Sequence, residues 1–337
     1  MRALVCTKPG SVEYKEVARP ALKKAHALLR IRRVGVCGTD LHAFEGSQPF
    51  FSYPRILGHE LAAEIEDVDG TNDFKKGEAV TTIPYYNCGH CIACRNGKPN
   101  CCVNINVCGV HIDGGMTEFL LTPSHSLLRG GEIRLDELAL IEPLAIGAHA
   151  VKRADVKAGE FVLVIGAGPI GLGTMEFARI QGANVIALEV NEARLHFCQQ
   201  LKVELTVNPS RQNAFNVLTE MTNGDMPTVV IDATGNLEAI NNGFQYMAHG
   251  GRYILIGLQK GEISFSHPDF HKREASLMSS RNATREDFEY VMNSVKNGLV
   301  NPSVYITHRV KFQEVKDNFE RWLDPSNGVI KAIIEMD

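Results

Sequence analysis

The sequence predicts an α/β protein that combines an irregular antiparallel β domain with a doubly wound parallel sheet. Before residue 144, short strand-like runs are broken by turn residues, as in antiparallel domains. After residue 144, apolar and β-branched runs alternate with helical stretches, which is typical of buried parallel strands. Two further strand-like runs end the sequence, and we expect them to return to the first domain.

This pattern divides the chain into three segments. Residues 1–143 form the antiparallel domain, with strands expected at 27–34, 61–68 and 78–83. Residues 144–280 form the doubly wound domain, with strands expected at 161–165, 184–188, 228–233 and 252–256 and helices at 170–181 and 192–201. Residues 281–337 return to the first domain through a helix at 285–297 and strands at 307–312 and 328–335. The second domain is then an insertion, and the crevice beside it is the expected place for a ligand.

Composition argues against several classes of partner. The 337 residues carry a net charge of -4, with lysine and arginine scattered among the acidic residues, which gives no basic surface for nucleic acid. The first apolar run is too short for a signal peptide, and no later run reaches about 20 apolar residues. We therefore expect a cytosolic protein without a membrane partner, whose nine cysteines are reduced or bind metal.

Four cysteines near residue 90 have the spacing of a closed zinc site. The segment 87–102 reads NCGHCIACRNGKPNCC, and its predicted ligands are Cys88, Cys91, Cys94 and Cys102. Four thiolates complete a tetrahedral zinc site and leave no position for a substrate, so we expect a structural zinc lobe at about 85–103. Cys101 is the alternative fourth ligand, and disulfides are the alternative to a metal.

A glycine-rich turn between a predicted strand and a predicted helix indicates a dinucleotide site. The turn reads GAGPIG, and its predicted binding residues are Gly166, Gly168, Pro169, Ile170 and Gly171. These glycines let a pyrophosphate approach the helix N-terminus, where free N–H groups point at the anion. Glu189 ends the next strand, at the position where a carboxylate binds the adenosine ribose hydroxyls and repels a 2′-phosphate. NAD is thus favoured over NADP, although Arg194 could shield part of that charge.

A second set of donors predicts another metal site. One thiolate, one imidazole and two carboxylates can hold zinc and leave one position open to water or substrate. These donors are Cys37, His59, Glu60 and Glu142. The solitary cysteines and histidines elsewhere are interpreted as packed core residues and not as ligands: Cys6, Cys108, Cys198, His249 and His308.

Together these motifs resemble the zinc-containing medium-chain dehydrogenases, the alcohol, sorbitol and threonine dehydrogenase superfamily, over nearly the whole chain. The matching segments occur in the family's order: CGTDLH at 37–42, GHE at 58–60, the cysteine lobe, EP at 142–143 and GAGPIG at 166–171. The resemblance implies a GroES-like catalytic domain, a Rossmann domain that binds NAD, and about two zinc ions per chain. Many alcohol dehydrogenases have a cysteine at the position of Glu142, so this departure points to the polyol class.

The resemblance also implies roles for individual residues. Cys37, His59 and Glu60 would bind the catalytic zinc, with Glu142 as a fourth ligand or as the partner of zinc-bound water. Zinc would polarise a substrate hydroxyl, whose carbon then gives hydride to the nicotinamide. The family residues that match Thr39 and His42 relay the released proton to solvent. A homodimer or homotetramer is expected.

A narrower resemblance points to a sugar-acid substrate. The segments 48–55, 109–115, 270–274 and 280–284 look like those of bacterial dehydrogenases of the L-galactonate and L-idonate (or L-gulonate) 5-dehydrogenase type. The implied reaction is NAD-dependent oxidation of an L-aldonate, at C5, to the keto acid. Arg281 would bind the substrate carboxylate, with a structural salt bridge as the alternative. Phe50, Phe51 and Tyr53 would line the cleft or belong to the core.

Two other functions stay open at this point. A sorbitol or other polyol dehydrogenase, or an L-threonine dehydrogenase, would share the fold and the motifs. A protein that binds zinc and nucleotide without catalysis would also share the fold, although the intact set of donors argues against it.

Overall fold

The computed structural model describes residues 1–69 and 73–336, and the chain separates into two compact units. Unit 1 comprises Met1–Glu142 and Thr284–Asp337, and unit 2 comprises Pro143–Ala283. The first part of unit 1 has the strands β1 (Arg2–Lys8), β2 (Ser11–Glu16), β3 (His26–Gly35), β4 (Arg55–Ile56), β5 (Glu60–Val68), β6 (Ala79–Thr82), β7 (Tyr85–Tyr86), β8 (Asn106–Val107), β9 (Phe119–Pro123) and β10 (Leu127–Arg129). Its helices are α1 (Gly38–Glu45), α2 (Ile92–Arg95) and α3 (Leu135–Leu138).

Unit 2 alternates strands and helices. Helix α4 (Ile141–Ala154) begins at the border and was not expected from the sequence. The strands are β11 (Phe161–Ile165), β12 (Asn184–Leu188), β13 (Leu205–Val207), β14 (Val229–Asp232), β15 (Arg252–Leu255) and β16 (Ser276–Ser279). The helices between them are α5 (Pro169–Ile180), α6 (Glu192–Gln200), α7 (Ala214–Met221), α8 (Leu237–Gly243) and α9 (His267–Lys272).

The last part of the chain belongs to unit 1. It contains α10 (Arg285–Lys296), β17 (Ile306–Lys311), α11 (Phe319–Leu323) and β18 (Lys331–Glu335). Short 3₁₀ turns occur at Pro99–Cys101, Ser124–Ser126, Phe244–Tyr246, Pro302–Tyr305, Phe312–Asn318 and Pro325–Asn327. No helix in the described ranges is both long enough and apolar enough to cross a membrane.

The sheets of unit 1 confirm the predicted β domain. A large sheet has the order β10-β6-β5-β3-β18-β17, with β9 also pairing with β3, and a smaller one has the order β2-β1-β4. Strand β18, from the last part of the chain, pairs antiparallel with β3. The side chains between these strands form a continuous apolar core that includes Leu29, Leu61 and Phe319.

Strands β17 and β18 run parallel, although the domain to which they belong was predicted to be antiparallel. The segment between them contains two 3₁₀ turns and α11, and a parallel pair requires such a crossover connection. Strand β18 also starts at Lys331 rather than at the expected residue 328, because Gly328 closes the preceding turn with a φ of 64°. That left-handed conformation is not compatible with a strand.

The sheet of unit 2 confirms the doubly wound prediction. Its order is β13-β12-β11-β14-β15-β16, and every neighbouring pair is parallel. The strand order reverses direction beside β11, so a crevice opens at the carboxyl ends of the central strands, where such sheets bind ligands. Strands β13 and β16 were not predicted, since the first is three residues long and the second is largely exposed.

Candidate active site

Cys37 is held in place by a residue that the sequence motifs did not single out. The carboxylate of Asp40 accepts hydrogen bonds from the backbone N–H groups of Cys37 and Gly58, each at 3.0 Å. Asp40 is fully buried, and burial raises its pKa. This one carboxylate therefore ties the start of α1 to the segment that precedes His59. Its position three residues after Cys37 matches the capping-box pattern, and that local signal could have identified it.

Three donors converge beside this carboxylate. One donor atom each from Cys37, His59 and Glu60 lies within 4.8 Å of the other two, and we call these residues the three-donor group. His59 Nδ1 is buried without a hydrogen-bond partner. Burial opposes protonation of His59, but the Cys37 sulfur and the Asp40 carboxylate outweigh it and hold the pKa of this imidazole well above its usual value.

The three-donor group fits zinc. The charges around His59 favour a positive charge there, and zinc is a cation. The group's sulfur, nitrogen and carboxylate oxygen donors are also the ligand types that zinc binds. Three protein ligands are the number found in zinc sites that keep a position for substrate.

Glu60 is paired with a lysine that was not predicted. Lys331 Nζ lies 2.6 Å from Glu60 Oε1 and 2.7 Å from Oε2, and it also donates to the carbonyl of Val36 at 3.0 Å. Both charged side chains are buried. Burial opposes the charge on Lys331, but Glu60 outweighs it and raises the lysine pKa. Lys331 thus balances the charge of Glu60 from the side of β18.

Glu142 does not belong to the three-donor group. Its Oε1 accepts a hydrogen bond from the hydroxyl of Tyr85, and both side chains are buried. Burial raises the pKa of Glu142 to about 7. Burial and the neighbouring Glu142 also keep the pKa of Tyr85 well above its usual value, so the phenol stays a donor. Tyr85 is a further residue that no sequence motif indicated.

The predicted proton-relay residues lie on α1. Thr39 and His42 are three residues apart and therefore neighbours on one helix face. Thr39 is half-buried and His42 is exposed, as a path towards solvent requires. Of the aromatic residues after α1, Phe51 and Tyr53 pack edge to face at 4.8 Å against the core of unit 1, whereas Phe50 is exposed.

The four predicted structural cysteines form a second cluster. The Sγ atoms of Cys91 and Cys94 are 3.4 Å apart, those of Cys91 and Cys102 are 3.8 Å apart, and those of Cys88 and Cys102 are 3.5 Å apart. A tetrahedral site with Zn–S bonds of about 2.3 Å places its sulfurs about 3.8 Å apart. A disulfide would need about 2 Å.

These separations fit zinc in what we call the four-cysteine cluster, Cys88, Cys91, Cys94 and Cys102. The backbone N–H of Cys94 lowers the pKa of Cys91 to about 6, which favours the thiolate that a metal needs. Cys101 is exposed and lies outside the cluster.

The solitary cysteines and histidines differ in how deeply they are buried. Cys6, Cys108 and Cys198 are fully buried, as expected of packed residues. His249 is exposed and His308 is half-buried. The expectation of a core position was therefore wrong for these two histidines, because the turn before β15 and the strand β17 present them at the surface of the chain.

Four of the seven predicted cofactor residues line a cavity of about 790 Å³ in unit 2, namely Gly166, Gly168, Glu189 and Arg194, whereas Pro169, Ile170 and Gly171 are not among its lining residues. Gly166 has a φ of 96°, and a Cβ on Gly171 would collide with the Gly166 carbonyl. Both positions thus require glycine. Gly168 is the N-cap of α5, and Pro169 and Ile170 start its first turn.

Glu189 connects this turn to β12. Its carboxylate accepts hydrogen bonds from the backbone N–H groups of Ala167, Val190 and Asn191 at 2.8 to 3.0 Å. Arg194 Nη1 lies 4.0 Å from Glu189 Oε2, so the arginine does pair with the acid as the sequence suggested. Arg281 follows β16 in the same unit and is exposed.

Family models match both parts of the chain. Residues 23–132 match the alcohol dehydrogenase GroES-like domain, and residues 169–297 match the zinc-binding dehydrogenase model. The chain belongs to the family of zinc-binding alcohol dehydrogenases. It is an oxidoreductase that acts on CH–OH groups with zinc and NAD.

Individual relatives cover nearly the whole chain. The L-galactonate-5-dehydrogenase of Escherichia coli K12 is 43% identical over 99% of this chain and 98% of its own length. The sorbitol dehydrogenase of Halalkalibacterium halodurans is 29% identical over 93% of this chain and 94% of its own. A crystal structure of the alcohol dehydrogenase rspB from E. coli CFT073, complexed with cofactor NADH, is 28% identical and superposes with a TM-score of 0.93 over 100% of this chain and 99% of that one.

Proposed function

We propose that this protein oxidises a secondary hydroxyl of an L-aldonate, at C5, to the keto acid with NAD as the hydride acceptor. The observation that carries this proposal is the similarity to the E. coli L-galactonate-5-dehydrogenase over almost the full length of both chains. The three-donor group and the glycine turn supply the two binding functions that such a reaction needs.

The residues of unit 1 have separate roles at the substrate hydroxyl, which are metal binding, positioning and proton transfer. The three-donor group would hold the zinc, which when bound acts as a Lewis acid on the substrate hydroxyl. Asp40 fixes the backbone of Cys37, and Lys331 restrains the carboxylate of Glu60. Thr39 would accept the hydroxyl proton and pass it to His42, whose exposed imidazole can exchange it with solvent.

The residues of unit 2 bind the cofactor. The turn from Gly166 to Gly171 presents backbone N–H groups at the start of α5 to the pyrophosphate. Glu189 would accept hydrogen bonds from the adenosine ribose hydroxyls and disfavour a 2′-phosphate. The cavity beside β11 and β12 provides the room for the adenosine part.

Arg281 would select an acid over a neutral polyol. Arg281 is an exposed residue of unit 2, and a carboxylate can form two parallel, charge-assisted hydrogen bonds with a guanidinium. The four-cysteine cluster would hold the second of about two zinc ions per chain and would only stabilise its lobe.

Compartment and assembly complete the proposal. We place the reaction in the cytosol, where cysteines without disulfides, as found for all nine here, persist in the reduced state. We also propose a homodimer or homotetramer, because the exposed strand β16 ends the sheet order of unit 2 and can add a strand of a second copy. No binding of nucleic acid or membrane is proposed.

A substrate panel tests the assignment. Purified protein should form NADH with L-galactonate, L-idonate or L-gulonate at a kcat/KM at least about tenfold above that for sorbitol or L-threonine. Arg281→Ala should weaken turnover of the acid while leaving a neutral polyol, the internal control, nearly unchanged. Far better turnover of sorbitol or L-threonine would reject the substrate and leave the zinc and NAD chemistry in place.

A polyol dehydrogenase is the second candidate function. It is favoured by the glutamate at position 142 and by the similarity to a sorbitol dehydrogenase. The same panel decides between the two, because only the acid should depend on Arg281.

A further inference from the structure

The hydrogen bond between Tyr85 and Glu142 has no part in the reaction proposed above. Tyr85 is fixed on two sides. Its backbone belongs to β7 and lies opposite Val107 of β8, and its ring packs edge to face on Phe288 with centroids 6.2 Å apart and planes at 72°. The hydroxyl of Tyr85 can therefore move little, and it holds whatever accepts its hydrogen bond.

That acceptor is a carboxylate close to the three-donor group. The negative charge of Glu142 is one of the influences that raise the pKa of His59, yet the Glu142 oxygens lie outside the set of atoms that approach one another within 4.8 Å. Glu142 is 4% exposed, so water does not compete freely for its oxygens. One of them is engaged by the phenol, which restricts the orientations that the carboxylate can take.

We propose that Tyr85 is a positioning residue whose hydroxyl keeps the Glu142 carboxylate out of the ligand set of the metal, so that one coordination position stays open to substrate. This inference rests on the proposed function, because it requires a metal at the three-donor group. Tyr85 acts through Glu142 and not on the substrate. Without the hydroxyl, the carboxylate is free to turn and become a fourth protein ligand, as closed zinc sites have.

The test compares two tyrosines of the same short strand. Tyr85→Phe removes the hydroxyl that binds Glu142. Tyr86→Phe is the matched control, because it removes a hydroxyl that bonds to Thr122 Oγ1 at 2.8 Å instead. The holoenzyme is incubated with the chelator dipicolinate, and the release of the zinc that leaves first is followed. The visible spectrum of protein with cobalt(II) at that site is recorded as well.

Tyr85→Phe should release this zinc about tenfold more slowly than the unaltered protein, and the cobalt spectrum should change as the coordination changes. KM for the alcohol should rise, because the open position is filled. Tyr86→Phe should match the unaltered protein in all three measurements. Adding Glu142→Gln to Tyr85→Phe should restore the original release rate, since the amide is a poor zinc ligand.

Two results would overturn the inference. The first is a zinc release rate and a cobalt(II) spectrum of Tyr85→Phe that equal those of the unaltered protein. The second is faster release from Glu142→Gln alone, which would show that Glu142 already binds the metal with Tyr85 in place. If Tyr85→Phe fails to fold, comparing zinc release from Glu142→Gln with that from the unaltered protein still decides whether Glu142 already binds the metal. If the unaltered protein holds no zinc beyond the four-cysteine cluster, the proposed function itself is overturned. If it holds two zinc ions and Tyr85→Phe releases zinc at the unaltered rate, only the inference about Tyr85 is overturned.

Discussion

Lys331 and Glu60 form a buried ion pair across the large sheet of unit 1. The lysine nitrogen lies 2.6 and 2.7 Å from the two carboxylate oxygens, although 271 residues separate the pair in the chain. Each residue starts a strand, β18 and β5, and β3 lies between these strands. Gly35 of β3 is opposite Glu60, and a Cβ there would collide with the Glu60 carboxylate. The sheet register and one glycine thus bring a countercharge to a metal-binding residue.

Replacing Lys331 should therefore be costly. When no metal is bound at the three-donor group, Lys331→Met leaves the Glu60 carboxylate buried without a countercharge, which should lower the free energy of unfolding by about 3–5 kcal/mol. Urea unfolding of the purified variant and of the unaltered protein measures this loss in the free energy of unfolding. Lys15→Met is the control in the same unit, because Lys15 and Glu13 form an exposed pair at 3.6 Å, and exposed pairs contribute about 0–1 kcal/mol. Equal losses in the two variants would contradict the importance of burial.

The four-cysteine cluster should matter for folding before it matters for chemistry. Cys94→Ser should lose one zinc per chain, as measured by elemental analysis, and should melt at a lower temperature, because structural zinc contributes directly to folding. Cys101→Ser changes an exposed cysteine outside the cluster and should keep both properties. Zinc loss from the Cys101 variant, with none from the Cys94 variant, would reverse the assignment of the ligands.

Glu189 should control the choice of cofactor. A 2′-phosphate beside this buried carboxylate places like charges close together, so Glu189→Ala should reduce the NAD over NADP ratio of kcat/KM by about tenfold or more. Arg194→Ala should shift the ratio the other way, because it removes the cation 4.0 Å from Glu189 that could pair with the phosphate. Equal efficiency with both cofactors in the unaltered protein would refute the role of Glu189.

Glu160 should stabilise unit 2 at neutral pH, and this contribution should be lost in acid. Burial tends to raise its pKa, but the backbone N–H of Lys157 and the guanidinium of Arg252, at 2.6 Å, lower it below the ordinary value of 4.5. A lowered folded-state pKa stabilises the protein above pH 4.5, and this contribution is lost as the pH falls through the folded-state value. Glu160→Gln should thus cost about 1–2 kcal/mol at pH 7 and progressively less in acid.

Melting temperatures measured as a function of pH check this dependence. Glu220→Gln changes an exposed glutamate of α7 and should follow the unaltered protein at every pH. A difference between Glu160→Gln and the unaltered protein that persists unchanged in strong acid would rule out the charge of Glu160 as its source.

Local sequence signals predicted much of the fold. The bounds of β11 and β12 agree with the expected 161–165 and 184–188, because both strands are apolar runs bounded by turn residues. The cysteine spacing and the glycine turn also indicated their clusters, since each motif lies within about 20 residues and its geometry depends on the local chain. Cys101 and Cys102 could not be distinguished in this way, because adjacent residues differ only in the direction of their side chains.

Long-range contacts lay beyond such signals. Lys331 meets Glu60 only through the register of three strands, and the parallel pairing of β17 with β18 depends on a crossover that the periodicity of the strands does not show. Tyr85 meets Glu142 across 57 residues. A lysine and a tyrosine in ordinary positions carry no pattern that identifies their partners, whereas Asp40 lies at a helix cap, where the capping-box pattern identifies it.

The zinc content of fully active protein tests the central claim most directly. The account predicts about two zinc ions per chain, with L-galactonate-dependent NADH formation lost when the more exchangeable one is removed and regained when it is restored. His59→Ala should stay folded, keep the zinc of the four-cysteine cluster and form almost no NADH. Full activity with no more than one zinc per chain, or undiminished activity of His59→Ala, would contradict the assignment of the catalytic metal to Cys37, His59 and Glu60.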